Sequence, residues 1–142
     1  MTNPLPSLSP QDALIAVMVA VSASDSNIRT SELVAIERTV NHMPVFAGYD
    51  IDRMQVVAQT VYALFEDEEG IEALFGLVRA ALPEKLFETA YALACDIAAA
   101  DGALYQPELR MLEEIRGELA IDRLHAAAIE WSARVRHMRL QA

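Results

Sequence analysis

The chain contains two related segments that lie 76 residues apart. Asp25 of the first segment corresponds to Asp101 of the second, and Glu32 corresponds to Glu108. Polar residues repeated at one offset are informative, because matches of alanine or leucine arise easily in a chain of this composition. Further pairs align at the same offset: Ala16 with Ala92, Ala23 with Ala99, Leu33 with Leu109, and Glu37 with Glu113. The pattern predicts two copies of one helix–loop–helix hairpin.

The first hairpin opens with several helix-starting signals. Ser9 can cap a helix, Pro10 suits the first helical position, and Asp12 is favoured at the positive end of the helix dipole. We predict a helix over residues 10–24, preceded by a flexible N-terminal arm at residues 1–8.

The rest of the chain also has helical spacing of apolar residues between helix-breaking residues. No alternating run is long enough for a strand. The sequence therefore predicts an all-α fold, a compact bundle of about seven helices in a single domain at residues 9–142. The two predicted hairpins are pseudo-symmetric, and the third and fourth helices lie between them along the chain. After the helix at residues 10–24, the second helix is predicted over residues 30–42, and the third from residue 50 to the acids at 66–69. The remaining four are predicted over residues 71–82, 83–100, 106–119 and 122–140.

The charge balance argues against nucleic acid as a partner. The formal net charge is -10, whereas binding to a phosphate backbone depends on clustered lysine and arginine. The longest apolar run, residues 13–23, is too short to span a membrane. The first residues lack the features of a secretory signal, so we expect a cytoplasmic location without a membrane span.

The C-terminal segment is an exception to the acidic composition, since it is rich in arginine. One interpretation is that these cations suit the negative end of a helix dipole. The other is a basic edge at which a protein partner docks. The partner and the oligomeric state are not defined by the sequence. The arginines concerned are Arg123, Arg134, Arg136 and Arg139.

No catalytic motif or cofactor-binding motif is recognisable in the chain. Cys95 lies in an apolar helical run and is interpreted as a small buried hydrophobic residue. Trp131 shares helical spacing with Leu124, Ala128 and Val135, which we interpret as core or hairpin packing. We therefore expect a non-enzymatic protein with no organic cofactor.

Two interpretations of the repeated acids remain open. Asp25 and Asp101 follow the first helix of each hairpin, and Glu32 and Glu108 fall in the first turn of the next helix. Loop amides and free helix N–H groups would stabilise carboxylates at these positions for folding alone. Alternatively, the loops bind a hard cation, since calcium and magnesium prefer carboxylate and carbonyl oxygens.

The segments ASDSNIRTSEL and AADGALYQPEL resemble the TerB-like tellurite-resistance family. They are also similar to the N-terminal domain of membrane-anchored DjlA-type co-chaperones. The family pattern is a helix ending in Ala-x-Asp-Gly, then an apolar residue, then a Glu that opens the next helix. The second segment keeps Gly102, whereas the first has Ser26 at the equivalent position.

The resemblance implies a bacterial stress-response domain that binds divalent cations, calcium, magnesium or zinc, through acidic inter-helix loops. Carried over by position, the metal ligands would be Asp25, Glu32, Asp101 and Glu108. Many family members have another acid four residues after the Asp, where this chain has Arg29 and Tyr105. The alternative is a helical protein–protein interaction module whose acidic residues are purely structural. The chain has no J-domain, so the co-chaperone role does not carry over.

Overall fold

The computed structural model describes residues 8–24, 30–100 and 106–140. Within these ranges the chain forms seven α-helices and no strand, which confirms the predicted all-α bundle. Short 3-10 turns at Pro44–Phe46 and Glu84–Leu86 precede α3 and α5. The helices are α1 (Pro10–Ala23), α2 (Thr30–His42), α3 (Arg53–Phe65), α4 (Gly70–Ala81), α5 (Phe87–Ala98), α6 (Gln106–Glu118) and α7 (Arg123–Arg136).

Helix α1 runs through the centre of the bundle. Every residue from Asp12 to Ser22 is buried, so the helix has no polar face for solvent. Helices α5, α3, α4, α6 and α2 all pack against it. A helix that is hydrophobic on all sides must be enclosed by other elements. The apolar run at residues 13–23 is therefore the core of a globular domain.

The predicted start of α1 is confirmed in atomic detail. The Asp12 backbone N–H donates to the Ser9 side-chain oxygen at 3.0 Å, and the Ser9 N–H donates to the Asp12 carboxylate at 2.9 Å. These reciprocal bonds satisfy two N–H groups that a helix start leaves without an intrahelical acceptor. Pro10 occupies the first helical position, where a missing N–H costs nothing.

The Asp12 carboxylate also anchors the segment that follows α2. Its side chain is fully buried, and it accepts hydrogen bonds from the Tyr49 hydroxyl at 2.7 Å and from the Arg53 guanidinium at 2.5 and 3.2 Å. Burial raises the pKa of Asp12, but the hydrogen bonds from Arg53, Ser9 and Tyr49 outweigh it and hold that pKa below its ordinary value. Burial and the bond to Asp12 raise the pKa of Tyr49.

The two predicted hairpins give helices of matching position. Helix α2 begins at Thr30 and α6 at Gln106, and each contains 13 residues. Both ends of α6 therefore lie 76 positions after the ends of α2, at the offset of the sequence repeat. The approximate symmetry of the hairpins in space stays a prediction.

Three helix boundaries differ from the sequence-based prediction. Helix α3 begins at Arg53, because residues 50–52 form turns in which the Asp50 carboxylate accepts from the Asp52 N–H at 3.0 Å. Helix α5 begins at Phe87, after the 3-10 turn that follows Pro83. Helix α7 ends at Arg136, four residues short of the predicted end.

Helix α7 packs on α5 through its buried residues Ala126 and Ala133. Interhelical ion pairs reinforce this contact: His125 with Glu88 at 2.7 Å, and both Arg136 and His137 with Asp96. Part of the C-terminal basic charge therefore holds α7 against the bundle. The raised pKa of His125, caused mainly by its bond to Glu88, favours the charged form of this pair.

The interpretation of Trp131 as a packing residue is wrong. Its exposed fraction is 64%, and those of Leu124 and Val135 are 80% and 53%. The helical spacing of these residues was recognised correctly, but α7 buries its opposite face, which carries Ala126 and Ala133. Periodicity alone cannot tell which of two apolar faces packs on the protein.

None of the helices in the described ranges has the length and apolar character needed to cross a membrane.

The tight connection between α3 and α4 depends on a glycine. A side-chain carbon on Gly70 would lie 1.8 Å from the Leu64 carbonyl oxygen, which is far inside a van der Waals contact. Gly70 therefore permits this close approach of the backbone.

We expect Gly70→Ala to lower the free energy of unfolding by about 1–3 kcal/mol or more, because backbone atoms must move to admit the methyl group. Gly76→Ala is the matched control within α4, where a side-chain carbon meets no atom within 4 Å. That change should raise stability by about 0.5–1 kcal/mol. Urea unfolding measures both. Equal effects of the two variants would contradict the role given to Gly70.

We expect Arg53→Met to lower the free energy of unfolding at pH 7 by clearly more than Arg79→Met does, because it removes the charged donor from the buried Asp12 carboxylate. Solvent screens this pair in part, since the Arg53 side chain is 41% exposed. Arg79→Met, which removes an exposed pair with Glu118, should cost less than about 1 kcal/mol.

The effect of Arg53→Met should also depend on pH. A carboxyl group whose folded-state pKa is lowered adds stability above its unfolded pKa and loses that contribution as the pH falls through the folded value. The ordinary pKa of an aspartate is 3.8. The stability difference between wild type and variant should therefore shrink below this pH, and a difference independent of pH would contradict the ion pair.

Candidate functional site

The candidate site lies where each hairpin turns from its first helix to its second. Helix α1 packs against α2, α5 packs against α6, and α1 and α5 pack against each other at the centre of the domain. In addition, α2 contacts α5 and α6 contacts α1. The second helix of each hairpin therefore packs against both central helices.

Glu32 and Glu108 are the two predicted site residues that the structure describes. Each lies in the first turn of its helix, and each is only 1% exposed. A glutamate that serves only to complement a helix dipole can remain at the surface, where the interaction is worth about 0.3–1 kcal/mol. Complete burial of both carboxylates at matching positions therefore distinguishes these two glutamates from acids that only complement a helix dipole.

The third repeated acid of each hairpin has a different environment. Glu37 and Glu113 follow the buried glutamates by five residues, and both are exposed to solvent. The repeat therefore contains one buried and one exposed glutamate per hairpin. This contrast separates the buried candidate ligands from acids that water reaches, although Glu113 also lines a cleft of the domain.

Asp25 and Asp101, the other two predicted ligands, lie outside the described residues. The residues that flank their loops approach the same cleft. Ser24, directly before the first loop, and Pro107, directly after the second, both line a cleft of about 960 Å³. Ser24 and Pro107 therefore border a common space, which neither Glu32 nor Glu108 lines.

The chemistry of the donors is that of hard cations. The loop sequences Asp-Ser-Asn-Ile-Arg and Asp-Gly-Ala-Leu-Tyr contain neither histidine nor cysteine. Their oxygen donors suit calcium and magnesium better than zinc, which is usually held by nitrogen and sulfur. Within residues 8–24, 30–100 and 106–140, no three His, Cys, Asp or Glu side chains group closely enough to hold a metal ion.

A second polar cluster, between α5 and α7, was not predicted from the sequence. The buried Tyr91 hydroxyl donates to the Glu130 carboxylate at 2.5 Å, and Arg116 of α6 donates to the same carboxylate oxygen at 3.2 Å. Burial, followed by the bond to Glu130, raises the pKa of Tyr91. The bonded residues of this polar cluster are separated by 14 to 39 positions along the chain. No local sequence pattern therefore indicates the cluster.

Cys95 lies beside this cluster. It is 5% exposed, and burial raises the pKa of its thiol to about 12. A thiol with this pKa is almost entirely protonated at neutral pH and is a poor nucleophile. Its interpretation as a buried hydrophobic residue agrees with this environment.

The histidines occupy boundary or surface positions. His42 is exposed and has a ring nitrogen 2.8 Å from the Arg38 carbonyl oxygen. His125 is also exposed and pairs with Glu88, whereas the partly buried His137 pairs with Asp96 at 3.2 Å. These residues serve contacts within the bundle.

The all-α bundle agrees with the resemblance to the tellurite-resistance family. A family model, that of the tellurite resistance protein TerB, matches residues 11–130. This match covers both hairpins and the helices between them, so the chain belongs to the TerB family. No curated protein and no solved structure matches it.

Proposed function

We propose that this TerB-family domain binds divalent cations at its two hairpin turns and acts in a stress response without catalysing a reaction. The observation that carries the proposal is the burial of Glu32 and Glu108 at the same position of two related helices. A cation would neutralise a carboxylate that the fold has removed from water, and the neighbouring Asp25 and Asp101 would contribute further oxygen ligands.

The shared cleft supports placing the two turns in one functional region. Ser24 and Pro107 border it from the two hairpins. If both turns contribute to one centre, four carboxylates converge, and their mutual repulsion makes a cation more favourable. Because all four side chains are oxygen donors, we propose calcium or magnesium ahead of zinc.

The runner-up function is a protein–protein interaction module whose buried acids are purely structural. Asp12 favours this alternative, because it shows that the chain buries one carboxylate completely and compensates it with hydrogen bonds alone. In that case hydrogen bonds within the domain would compensate the carboxylates of Glu32 and Glu108 in the same way. Added cations would then have no effect on the domain.

We expect saturable binding of calcium or magnesium in a calorimetric titration of the wild-type domain. Glu32→Gln and Glu108→Gln keep the side-chain size and remove the charge of a ligand. Each should weaken binding by at least about tenfold, the effect that disturbance of a metal site commonly has. Parallel titration with zinc tests the preference for hard cations.

The matched control is Glu37→Gln, which makes the same change at an exposed repeated acid outside the cleft. This variant should bind like the wild type. Circular dichroism establishes that every variant is folded before titration. The cation hypothesis fails if the wild type gives no saturable heat with any of the three metals, or if the buried and exposed substitutions have equal effects.

A further inference from the structure

Helix α7 has a second apolar face that nothing in the domain covers. Leu124, Ala128, Trp131 and Val135 follow one another at spacings of four, three and four residues, and all are exposed. We call these four residues the apolar strip. At 100° per residue, the strip lies opposite the buried Ala133. Spacing of this kind forms the narrow seam along which two helices pack in a coiled coil.

The strip adjoins a groove between α6 and α7. Both helices pack on α5 and make few contacts with each other, which leaves a groove of about 800 Å³. Met138, just beyond the end of α7 and 70% exposed, continues the line of the strip and also lines the groove. The groove is lined in part by Tyr91, Cys95, Leu109, Leu112 and Ala133. None of the four strip residues lines the groove, but Arg134 lines it and also lies over Trp131, so the strip and the groove adjoin along α7.

The segment that carries the strip has a charge opposite to that of the rest of the chain. Residues 119–142 contain four arginines and two acids, whereas residues 1–118 contain seven lysines and arginines and 19 acids. Arg134 borders both strip and groove, with its guanidinium carbon 5.7 Å from the centre of the Trp131 ring. The groove is also lined by Arg139 and by Arg116, which is paired with Glu130, and by the acids Glu113 and Glu130. Tryptophan, methionine and arginine together are typical of binding interfaces.

We propose that the strip and the adjoining groove bind an amphipathic helix of a partner protein, with acidic residues flanking its apolar face. Such a helix would cover the strip with its apolar side and place its carboxylates beside Arg134 and Arg139, in the helix-in-groove mode of recognition. The groove also approaches the second hairpin, since Ala99 and Leu109 line it. The two proposals are tested separately, because the substitutions that test this surface lie on α7 and those that test cation binding lie on α2 and α6.

Charge favours this partner over the two other candidates that could cover the apolar strip, which are a second copy of the chain and an anionic membrane. A second copy bound through the same face would bring arginines together, because a two-fold contact pairs a surface with itself. An anionic membrane is flat and would extend beyond the arginines over the exposed acids around them, such as Asp122 and Glu113, at distances where repulsion is not screened. A single acidic helix is narrow enough to place its carboxylates beside Arg134 and Arg139 alone.

The test uses a synthetic helical peptide of about 20 residues, with leucine at coiled-coil core positions, glutamate at the flanking positions and no tryptophan. Because Trp131 is the only tryptophan of the chain, its fluorescence reports contact at the strip directly. We expect saturable binding and a blue shift of Trp131 emission. A second peptide with lysine in place of glutamate should bind at least about tenfold more weakly.

Variants of the protein locate the binding surface. Val135→Ser should weaken binding of the acidic peptide at least about tenfold, as substitution at the centre of an interface commonly does. Val34→Ser makes the same change on α2, at a valine that is 42% exposed, and should leave binding unchanged. Arg134→Glu should weaken the acidic peptide and strengthen the lysine peptide. Both substituted residues of α7 are exposed, so the fold should be retained.

Several results would overturn the proposal. They are equal binding of the two peptides, no saturable binding of the acidic peptide, and affinity unaffected by Val135→Ser. Two further measurements test the other occupants. Binding to vesicles of half anionic lipid that Val135→Ser abolishes, without peptide binding, would assign the surface to membranes. A dimer in sedimentation equilibrium that Val135→Ser dissociates would assign it to a second copy.

Discussion

The complete burial of α1 is the constraint on which the rest of the bundle depends. A helix with no solvent-facing side has to be enclosed, and five other helices pack against this one. Its burial also fixes the connection after α2. The one ionisable group of the helix, Asp12, has to be compensated, and Tyr49 and Arg53 from that connection do so. The hydrophobic effect thus encloses α1, and one buried charge sets the path of residues 49–53.

The same central helix brings the two hairpins together. Because α6 contacts α1 and α2 contacts α5, each acid-bearing helix packs on the first helix of the other hairpin. Glu32 and Glu108 are buried at the starts of these helices. In the proposed function, the core of the domain therefore supports the positions of the buried ligands. Changes in packing at α1 would then alter cation affinity without touching a ligand.

Helix identity and several helix ends followed from local chemistry, and these were predictable. Ser9 and Asp12 signal the start of α1 within four residues, and Asp122 caps α7 by accepting from two backbone N–H groups. Family membership was also recognisable from the short acidic segments. The boundary errors arose at residues 50–52 and 83–86, where turns precede helices and the preference of single residues does not settle the backbone.

The features that were missed depend on contacts between distant parts of the chain. The partners of Asp12 lie 37 and 41 residues away, and the Tyr91 cluster joins three helices. Helical spacing correctly grouped Trp131 with Leu124 and Val135, but the smaller residues of α7 pack on α5 instead. Small side chains allow the close approach of two helices, so the bulkier face was left toward solvent. That outcome follows from tertiary packing, which periodicity does not encode.

The central claim is that a cation compensates the buried glutamates of the two hairpins. Anomalous diffraction from crystals of the domain grown with manganese, a substitute for calcium or magnesium, tests it most directly. The claim predicts an anomalous peak about 2.0–2.6 Å from oxygens of Glu32 or Glu108, the range of hard-cation coordination. Density without such a peak, in which loop amides donate to both carboxylates, would contradict the claim and establish a structural role for these acids.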